Sequence, residues 1–288
     1  MRSLLFAPAN SPRKLEKSLE TGADAVIVDL EDSIAPEGKA AARRDAAAFL
    51  KDVIPRTTRP RIMVRINGIA SGLTDDDLDA IVSARPDMIM LPKAEGGAAV
   101  THADAKLTAR EAMAGIPEGS IKIVALATET ATSLFLTGTF RASSPRLIGL
   151  SWGAEDLSAE IGAERNRDAA GRYTDLYRLA RSLCLAGAAA AEVESYDTVN
   201  IDFRNTDLLH REAEEARRDG FSGMMAIHPS QVPIINAVFT PTKEAIEKAR
   251  AIVAAFDASP NTGVVGIEGV MYDIPHLKNA RRLLKRVG

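Results

Sequence analysis

Cysteine and histidine are scarce in this chain of 288 residues, which holds one cysteine and four histidines. The single cysteine, Cys184, excludes an internal disulfide and favours a reducing compartment, so we expect a cytoplasmic protein. Zinc is disfavoured because no histidine shows the spacing of zinc ligands. No apolar run reaches the ~18 residues of a membrane span, and the N-terminal apolar stretch is too short for the core of a signal peptide.

An excess of charge of one sign is also lacking. The 36 Lys and Arg residues nearly balance the 39 Asp and Glu residues, for a net charge of −3. This balance gives no electrostatic case for nucleic acid or an anionic membrane as partner. With 46% hydrophobic residues, the chain can nevertheless bury a sizeable core. The composition therefore predicts a globular protein without a nucleic-acid or membrane partner.

Short apolar runs alternate with amphipathic helical patterns along nearly the whole chain. Continuous apolar runs are typical of strands that are buried on both faces of a parallel sheet. A doubly wound sheet would usually begin with a glycine-rich first turn, which the sequence lacks. Eight strands that alternate with helices fit one TIM (β/α)₈ barrel. The runs cover residues 3–9, 25–31, 61–67, 88–93, 121–129, 146–153, 191–201 and 223–229.

Helix boundaries are marked by local signals. Ser11 followed by Pro12 predicts a helix start, Thr74 is predicted to cap the next acidic helical pattern, and Gly220 is predicted to end a helix. After the eighth run, two further helical patterns and an apolar run precede a basic terminal helix. We expect a barrel over residues 1–240 and a C-terminal helical extension over 241–288, forming one structural unit that contacts a neighbouring subunit.

Ionisable residues stand at the end of almost every predicted strand. The carboxyl ends of the strands form the active-site mouth of a TIM barrel. Burying charge is costly unless something pairs with it, so these ends predict a polar cavity, a metal or a basic partner. The residues are Asp29, Glu31, Arg65, Lys93, Glu129, Asp156, either Glu194 or Asp197, and His228, together with the polar Asn67.

Two of these carboxylates, Glu129 and Asp156, follow successive strands and are candidates to share a metal. At a separation of about 5 Å they would repel by roughly 3 kcal/mol at an effective dielectric of 20, which a cation would remove. Mg²⁺ is the natural candidate because it takes oxygen ligands, often one or two carboxylates together with water and substrate. The alternative is a structural network in which both carboxylates pair with Arg65 and Lys93.

A second chemistry is also open. The segment GLSWG (149–153) matches a nucleophile elbow with Ser151, and Asp197 and His228 follow in the order of a serine hydrolase. Five-residue patterns with three fixed positions occur by chance, so this match is weak. The glycines of GVVGIEG (263–269) lack the lysine of a phosphate loop and instead predict a turn or hairpin.

Several of these stretches together resemble a known family. The sequence is similar to the citrate lyase β-subunit-like group of the HpcH/HpaI aldolase superfamily, which includes malyl-CoA and citramalyl-CoA lyases. The similarity touches nearly every strand. It is carried by RSLLFAPANSPRKLEKS, GADAVIVDLEDSIAPEGKAAAR, VRIN, MLPK, WGAEDLSAEIG, FSGMMAIHPSQV and GVMYDIPHLKNARRLL.

The resemblance implies a Mg²⁺-dependent barrel enzyme that makes or breaks a carbon–carbon bond between an acyl-CoA enolate and a 2-oxo acid. It implies Glu129 and Asp156 as metal ligands and Arg65 as the residue over the substrate oxygens. Glu31 and Asp32 resemble groups that orient metal-bound water. The substrate is also expected to contact Lys93 and the segment formed by Gly153, Ala154 and Glu155.

The resemblance also implies a role for the C-terminal extension. Asp273 resembles an acid/base that relatives with this extension bring from a neighbouring subunit, so a homotrimer or hexamer is expected. A helix cap before Pro275 is the structural alternative for Asp273. One departure is visible: Thr128 precedes the predicted metal-binding glutamate where relatives often have an apolar residue.

The sequence leaves four functions open. The first is a lyase acting on a short 2-hydroxyacyl dicarboxyl-CoA thioester of the malyl-, citramalyl- or citryl-CoA type. The second is an aldolase acting on a CoA-free 2-oxo acid. The third is a thioesterase of the malyl-CoA type, and the fourth is a subunit of a lyase complex without its own activity. Retention of Glu129, Asp156, Arg65 and Asp273 together argues against the fourth.

Overall fold

The computed structural model describes residues 1–260 and 262–287. The chain divides into two compact units, Met1–Phe239 and Thr240–Gly288. Among the described residues, no helix is both long and apolar enough to cross a bilayer.

The first unit is a closed barrel of eight parallel strands in chain order, with β1 paired to β8. The predicted TIM barrel is therefore confirmed. The strands are β1 (Ser3–Pro8), β2 (Ala25–Asp29), β3 (Arg61–Arg65), β4 (Met88–Leu91), β5 (Lys122–Leu126), β6 (Leu147–Ser151), β7 (Glu194–Asp197) and β8 (Gly223–Ala226).

Helices alternate with these strands. They are α1 (Pro12–Ser18), α2 (Lys39–Val53), α3 (Thr74–Ile81), α4 (Gly96–Met113), α5 (Ala131–Leu134), α6 (Ala154–Ile161), α7 (Asp175–Ala191), α8 (Thr206–Asp219) and α9 (Gln231–Phe239). Short 3₁₀ turns lie at Pro36–Gly38, Ile69–Ser71, Val82–Ala84 and Thr137–Phe140.

The apolar runs form strands because both faces of the sheet are covered. Leu4, Ile27 and Met63 belong to a cluster inside the barrel. Val26 and Val64, which alternate with them, belong to the layer beneath the helices. All five side chains are fully buried, and burial of such a side chain stabilises the fold by about 1.5–3 kcal/mol. The two layers fix which face of each strand looks into the barrel.

Two of the predicted helix boundaries are confirmed. Ser11 is the N-cap of α1 with Pro12 at its first position, although the Ser11 side chain makes no capping hydrogen bond. Gly220 ends α8 with φ at 117°, a conformation that favours glycine.

The prediction that Thr74 caps α3 is wrong. Leu73 occupies the N-cap position and Thr74 is the first helical residue. The Thr74 hydroxyl donates instead to the carbonyl oxygens of Asn67 and Gly68, at 3.1 and 3.0 Å. The hydroxyl thus ties the helix to the end of β3, a tertiary contact that local pattern does not encode.

The second unit is built from α10 (Lys243–Asp257), β9 (Val264–Ile267), β10 (Val270–Asp273) and α11 (Ile274–Val287). The strands form an antiparallel hairpin, as the GVVGIEG pattern predicts, so the extension is not wholly helical. Both residues of its two-residue loop have positive φ, 50° at Glu268 and 79° at Gly269, which is typical of a tight hairpin turn.

The hairpin and helices of the second unit share a small core that includes Phe256, Val265 and Tyr272. Other apolar residues of the hairpin are exposed: Val264 by 45%, Val270 by 53% and Met271 by 69%. The apolar run after the eighth strand is therefore partly buried in the core of the second unit and partly exposed.

Candidate active site

Charged side chains gather at the carboxyl ends of β2 to β6. The strand-end carboxylates that the sequence singles out meet two cations there, Arg65 and Lys93. This cluster lies within the first unit, at the face where the active site of a TIM barrel is found. We refer to it as the carboxylate cluster; its members are Asp29, Glu31, Asp32, Arg65, Lys93, Glu129 and Asp156.

Arg65 is fixed by two carboxylates of the β2 end. Its Nε and Nη2 atoms donate to the two oxygens of Asp29, each at 2.7 Å, and Nη1 lies 2.9 Å from Oε2 of Glu31. Burial lowers the pKa of the guanidinium, but the hydrogen bonds and charge of Asp29 outweigh it and raise the pKa above its usual value. Bidentate pairing of this kind fixes the plane of a guanidinium. Arg65 is thus a permanently charged and rigid donor.

Glu31 is the buried member that Arg65 and Lys93 share. Burial raises the pKa of Glu31 to about 6, against the opposing charges of Arg65 and Lys93. Its Oε2 atom has no aligned hydrogen bond among the described residues, although Arg65 is near. Asp32 is more exposed and lies 3.7 Å from Arg65 and 3.6 Å from Lys93.

Lys93 bridges carboxylates from three strands. Its Nζ atom lies 2.5 Å from Oε1 of Glu31 and 3.0 Å from Oδ1 of Asp156. Burial lowers the pKa of this ammonium, but the hydrogen bond and charge of Glu31 outweigh it and raise the pKa. Its φ is 51°, which is uncommon outside glycine and clusters at functional sites. In that conformation the Lys93 amide donates to Oε2 of Glu129 at 2.8 Å.

Glu129 is the least compensated carboxylate of the cluster. It is buried, and among the described residues it has no ion-pair partner. Burial, followed by the charge of Asp156, raises the pKa of Glu129 to about 8. A Cβ on Gly153 would lie only 2.5 Å from Oε1 of Glu129, so the glycine makes room for the carboxyl group.

The donor set fits a cation held by two carboxylates. Glu129 and Asp156 repel each other, and a bound cation would remove that cost. No group of three or more His, Cys, Asp or Glu that could hold a metal occurs among the described residues, which argues against a site closed by protein ligands alone. Mg²⁺ commonly takes one or two carboxylates and completes its shell with water and substrate. The residues present therefore fit Mg²⁺ and do not fit a structural zinc site.

The alternative to a metal site, a network in which both carboxylates pair with Arg65 and Lys93, is also partly present. Asp156 pairs with Lys93, as that alternative expects, whereas Glu129 pairs with neither cation. A divalent cation would compete with Lys93 for Asp156. The two interpretations therefore differ most at Glu129.

The first turn of α6 lies beside the cluster. Gly153 is its N-cap and makes no side-chain capping hydrogen bond, so the amides of Ala154 and Glu155 are available for an anion. The side chain of Glu155 is engaged by Nδ2 of Asn166 at 2.8 Å. The predicted substrate-binding segment thus offers its backbone rather than its side chains.

The serine-hydrolase arrangement is not formed. Ser151 is fully buried, and its hydroxyl donates to the carbonyl of Tyr196 at 2.8 Å. Asp197 accepts from Nε1 of Trp152 at 2.6 Å and from Nε of Arg181 at 3.0 Å. These contacts leave neither Ser151 nor Asp197 engaged with His228, so the nucleophile-elbow interpretation is rejected.

Asp273 lies in the second unit, at the junction of β10 and α11. Its Oδ1 atom is 2.6 Å from Nδ1 of His276 and accepts the His276 amide at 3.4 Å. The helix-cap role proposed as the alternative is therefore present. The carboxylate is nonetheless 45% exposed, so capping does not prevent contact with another group.

Sequence patterns assign no supporting role to Lys39 or to Asn67, although Asn67 stands among the predicted strand-end residues. Lys39 donates to the carbonyl oxygens of Leu30 and Glu31 and to Oδ1 of Asn67, each at 2.8 Å. Asn67 in turn donates to Asp77 at 2.7 Å. The only sequence signal was a lysine shortly after an acidic strand end, which is too common to be specific.

Thr128, which the sequence resemblance marks as a departure, is also unusual in the structure. It is fully buried, and its hydroxyl has no hydrogen-bond partner among the described residues. An unmade hydrogen bond in the interior costs about 1–3 kcal/mol. Thr128 therefore places an unpaired hydroxyl in the interior, one residue before Glu129, where an aliphatic residue would have none.

Together, the fold and the cluster define an enzyme of the TIM-barrel class with a polyanionic centre at its carboxyl face. Comparison with known proteins agrees. The family model described as HpcH/HpaI aldolase/citrate lyase matches residues 2–229. A citrate lyase subunit beta-like protein of Mycobacterium tuberculosis is 35% identical over 286 residues, covering 99% of this chain and 94% of that protein.

Two further relatives are similar along their length. A mitochondrial citramalyl-CoA lyase of Rattus norvegicus is 33% identical over 299 residues, covering 98% of this chain and 85% of that protein. The crystal structure of protein CitE from M. tuberculosis in complex with magnesium, acetoacetate and coenzyme A superposes with a TM-score of 0.75 at 33% identity, covering 100% of this chain and 98% of that chain.

The chain belongs to the HpcH/HpaI aldolase/citrate lyase family. It is an enzyme of the carbon–carbon lyase class.

Proposed function

We propose that the enzyme is a Mg²⁺-dependent lyase for a short 2-hydroxyacyl dicarboxyl-CoA thioester of the malyl-, citramalyl- or citryl-CoA type. It cleaves this substrate to an acyl-CoA and a 2-oxo acid, or forms it in reverse. The observation that carries the proposal is the buried, uncompensated Glu129 carboxyl beside Asp156. Citramalyl-CoA lyase of Rattus norvegicus and the CitE complex with magnesium and coenzyme A lend support.

Glu129 and Asp156 are the residues that would hold Mg²⁺. When bound, the ion supplies Lewis-acid polarisation of the 2-oxo acid carbonyl and neutralises the pair. Lys93 then keeps its contact with Glu31, and the ammonium remains as a second positive charge beside the substrate.

Arg65 is suited to stabilise the enolate that bond cleavage releases. Asp29 holds two of its five N–H donors and fixes the guanidinium plane. Donors on the Nη atoms remain for the thioester oxygen, where negative charge develops. A donor that needs no reorganisation at that moment lowers the barrier most effectively.

Anchoring and proton transfer fall to other groups. The free amides of Ala154 and Glu155 suit the carboxylate of the 2-oxo acid, while Glu31 and Asp32 orient water at the site. The Asp273 carboxylate, whose pKa is lowered by its hydrogen bond with His276, takes the hydroxyl proton of the substrate and then gives that proton to the enolate carbon. The proton count balances, since one proton leaves the substrate and one enters the product.

Asp273 acts, in this proposal, on the site of a neighbouring copy within a homotrimer or hexamer. The exposed residues of the hairpin support this, since Val264 on β9 and Val270 and Met271 on β10 expose apolar surface. The expected compartment is the cytoplasm, for which the single cysteine is the argument.

Incubation with Mg²⁺ and a panel of malyl-, citramalyl- and citryl-CoA tests the activity. Glyoxylate, pyruvate or oxaloacetate together with an acyl-CoA is the expected result, and EDTA should abolish it. Free CoA together with the intact hydroxy acid would identify a thioesterase instead. Cleavage of CoA-free 2-oxo acids alone would identify an aldolase.

The metal assignment is tested separately by calorimetry. Glu129→Gln and Asp156→Asn are each expected to abolish Mg²⁺ binding while the barrel stays folded. Asp75→Asn, which alters an exposed ion pair with Lys106 and Arg110, is the matched control and should bind normally. Affinity within twofold of the unmodified enzyme in either ligand variant would refute the assignment.

A further inference from the structure

The single tryptophan of the chain, Trp152, lies directly beside the carboxylate cluster. Strand β6 ends at Ser151 and helix α6 begins at Ala154, so Trp152 and Gly153 form a turn between the two elements, the β6–α6 turn. The indole is fully buried in the layer beneath the helices, whereas Gly153 lies against the Glu129 carboxyl. The turn therefore places one residue in the core and the next at the carboxylate cluster.

The indole is held by a carboxylate at the end of β7. Oδ1 of Asp197 accepts from Nε1 of Trp152 at 2.6 Å and from the amide of Thr198 at 2.9 Å. Oδ2 of Asp197 accepts from Nε of Arg181, on α7, at 3.0 Å. Arg181 in turn donates through Nη1 to Asp219, the last residue of α8, at 2.7 Å. The β6–α6 turn is thus tied to β7, α7 and α8 through one indole.

A carboxylate in this layer is costly for the stability of the fold. Asp197 is only 4% exposed, and burial raises the pKa of its carboxyl against the charge of Arg181 and the hydrogen bond from Trp152. Replacing a buried ion pair by well-packed apolar side chains is often neutral or stabilising, so stability alone does not account for a carboxylate here. What the carboxylate adds is a fixed direction for the indole, because a hydrogen bond to an ionised acceptor is short and strong.

Both predicted metal ligands depend on where the β6–α6 turn lies. Asp156 belongs to the first turn of α6, so it moves with the start of that helix. Gly153 leaves so little room that a Cβ there would lie 2.5 Å from Oε1 of Glu129. A displacement of the turn would therefore change the separation of the two carboxylates from both sides.

We propose that Trp152 and Asp197 are positioning residues of the metal site, an inference that rests on the proposed function. Their hydrogen bond holds the β6–α6 turn where Glu129 and Asp156 can share one cation. Neither residue is itself a metal ligand or a substrate contact. Residues that orient metal ligands from behind typically contribute about 10–100-fold to metal affinity, so loss of this hydrogen bond should weaken Mg²⁺ binding in a protein that is still folded.

The test is calorimetric titration of the full chain with Mg²⁺, so it does not depend on turnover. Trp152→Phe keeps an aromatic ring and removes the Nε1 donor, whereas Asp197→Leu removes the acceptor. Each should weaken Mg²⁺ binding about tenfold. The double variant should be no weaker than either single variant, because both changes remove the same hydrogen bond. Asp197→Asn keeps an acceptor oxygen for the indole and should restore most of the affinity.

A second route removes the donor without changing the shape of the side chain. Because Trp152 is the only tryptophan, biosynthetic incorporation of 3-benzothienylalanine replaces its Nε1–H by sulfur at this one position. The labelled protein should show the same loss of Mg²⁺ affinity as Trp152→Phe. This measurement decides the question if the phenylalanine variant does not fold, which urea unfolding without Mg²⁺ will show.

Tyr177→Phe is the matched control. Tyr177 is buried in the same layer as Trp152, and its hydroxyl has no hydrogen-bond partner among the described residues. Removing that hydroxyl changes an aromatic side chain without breaking a hydrogen bond, so Mg²⁺ affinity should be normal.

The remaining outcomes separate this inference from the proposed function. If the unmodified enzyme binds Mg²⁺ and the proteins without the indole donor bind it equally well, the positioning role is refuted and the proposed function stands. An equal loss in Tyr177→Phe would also refute it and identify packing as the cause. Additive losses in the double variant would show that Trp152 and Asp197 act separately, against the proposal. If the unmodified enzyme binds no Mg²⁺, the proposed function fails, and the positioning role with it.

Discussion

Glu129 and Gly153 occupy adjoining space so closely that a Cβ on the glycine would lie 2.5 Å from Oε1 of the glutamate. Gly153 has φ of −132°, a value open to any residue. The glycine is therefore required by close approach and not by backbone conformation.

Gly153→Ala should displace the Glu129 carboxyl and weaken Mg²⁺ binding tenfold or more. The barrel should stay folded, because the collision is with a side chain at the mouth. Calorimetry with Mg²⁺ measures the effect, and Gly138→Ala is the control because a Cβ there meets nothing within 4 Å. Unchanged affinity in Gly153→Ala would mean that Glu129 is not a ligand or moves without cost.

Arg65→Lys should lower kcat/KM by about a hundredfold or more. Lysine keeps the charge but loses the planar fork that spans both oxygens of Asp29 while facing Glu31. Because Arg65 is not a proposed metal ligand, Mg²⁺ affinity should change little, and steady-state kinetics together with calorimetry separates the two effects.

Arg59→Lys is the matched control for that substitution. Arg59 also contacts both oxygens of one carboxylate, that of Asp87, but it precedes β3 and lies away from the mouth. Its kcat/KM should be unaffected. A decrease of only a fewfold in Arg65→Lys would mean that Arg65 acts as a point charge.

The barrel itself could be read from the sequence because its strands are buried on both faces. The runs around Val28, Val64 and Ile89 are apolar without interruption, and all three residues are fully buried. The strand-end positions of the carboxylate cluster follow from the same pattern, because parallel strands end at one face.

The partners at the strand ends could not be predicted, because pairing depends on which side of the sheet a side chain leaves. Asp197 ends β7 as Asp29 ends β2. Yet Tyr196 belongs to the cluster inside the barrel, so Asp197 leaves on the opposite side and meets Trp152 and Arg181. A shift of one residue exchanges the two faces.

Arg146→Met should destabilise the barrel by about 3 kcal/mol at pH 7, as expected when one partner of a buried ion pair is removed. Arg146 donates to both oxygens of Glu111, at 2.9 and 2.7 Å, and both residues are buried. Burial raises the pKa of Glu111, but Arg146 and two backbone amides outweigh it and hold the pKa below its usual value. The ionised form therefore stabilises the fold above the ordinary glutamate pKa, and this contribution is lost as the pH falls.

In Arg146→Met the pKa shift of Glu111 is expected to change sign, because burial then dominates and raises the pKa. The difference in the free energy of unfolding between the variant and the unmodified protein should shrink as the pH is lowered. Protonation of Glu111 then removes the cost of burying its unpaired charge. Urea unfolding at pH 7 and pH 5 measures this, with Arg146→Met/Glu111→Leu as the control that recovers part of the loss. An equal deficit at both pH values would show that Arg146 contributes through packing alone.

Mixing two inactive variants, Glu129→Ala and Asp273→Ala, tests whether Asp273 acts on a neighbouring copy. Each variant alone should be inactive, because one lacks a metal ligand and the other lacks the proton donor. If Asp273 acts across an interface, subunit exchange creates sites in which an intact Glu129 faces an intact Asp273. Activity should then return to a fraction set by the mixing ratio. Asp257→Ala, which removes another exposed carboxylate of the second unit, is the control and should be fully active alone. Exchange demonstrated by mass spectrometry of differently labelled subunits, with no recovery of activity, would mean that Asp273 serves its own chain or only caps α11.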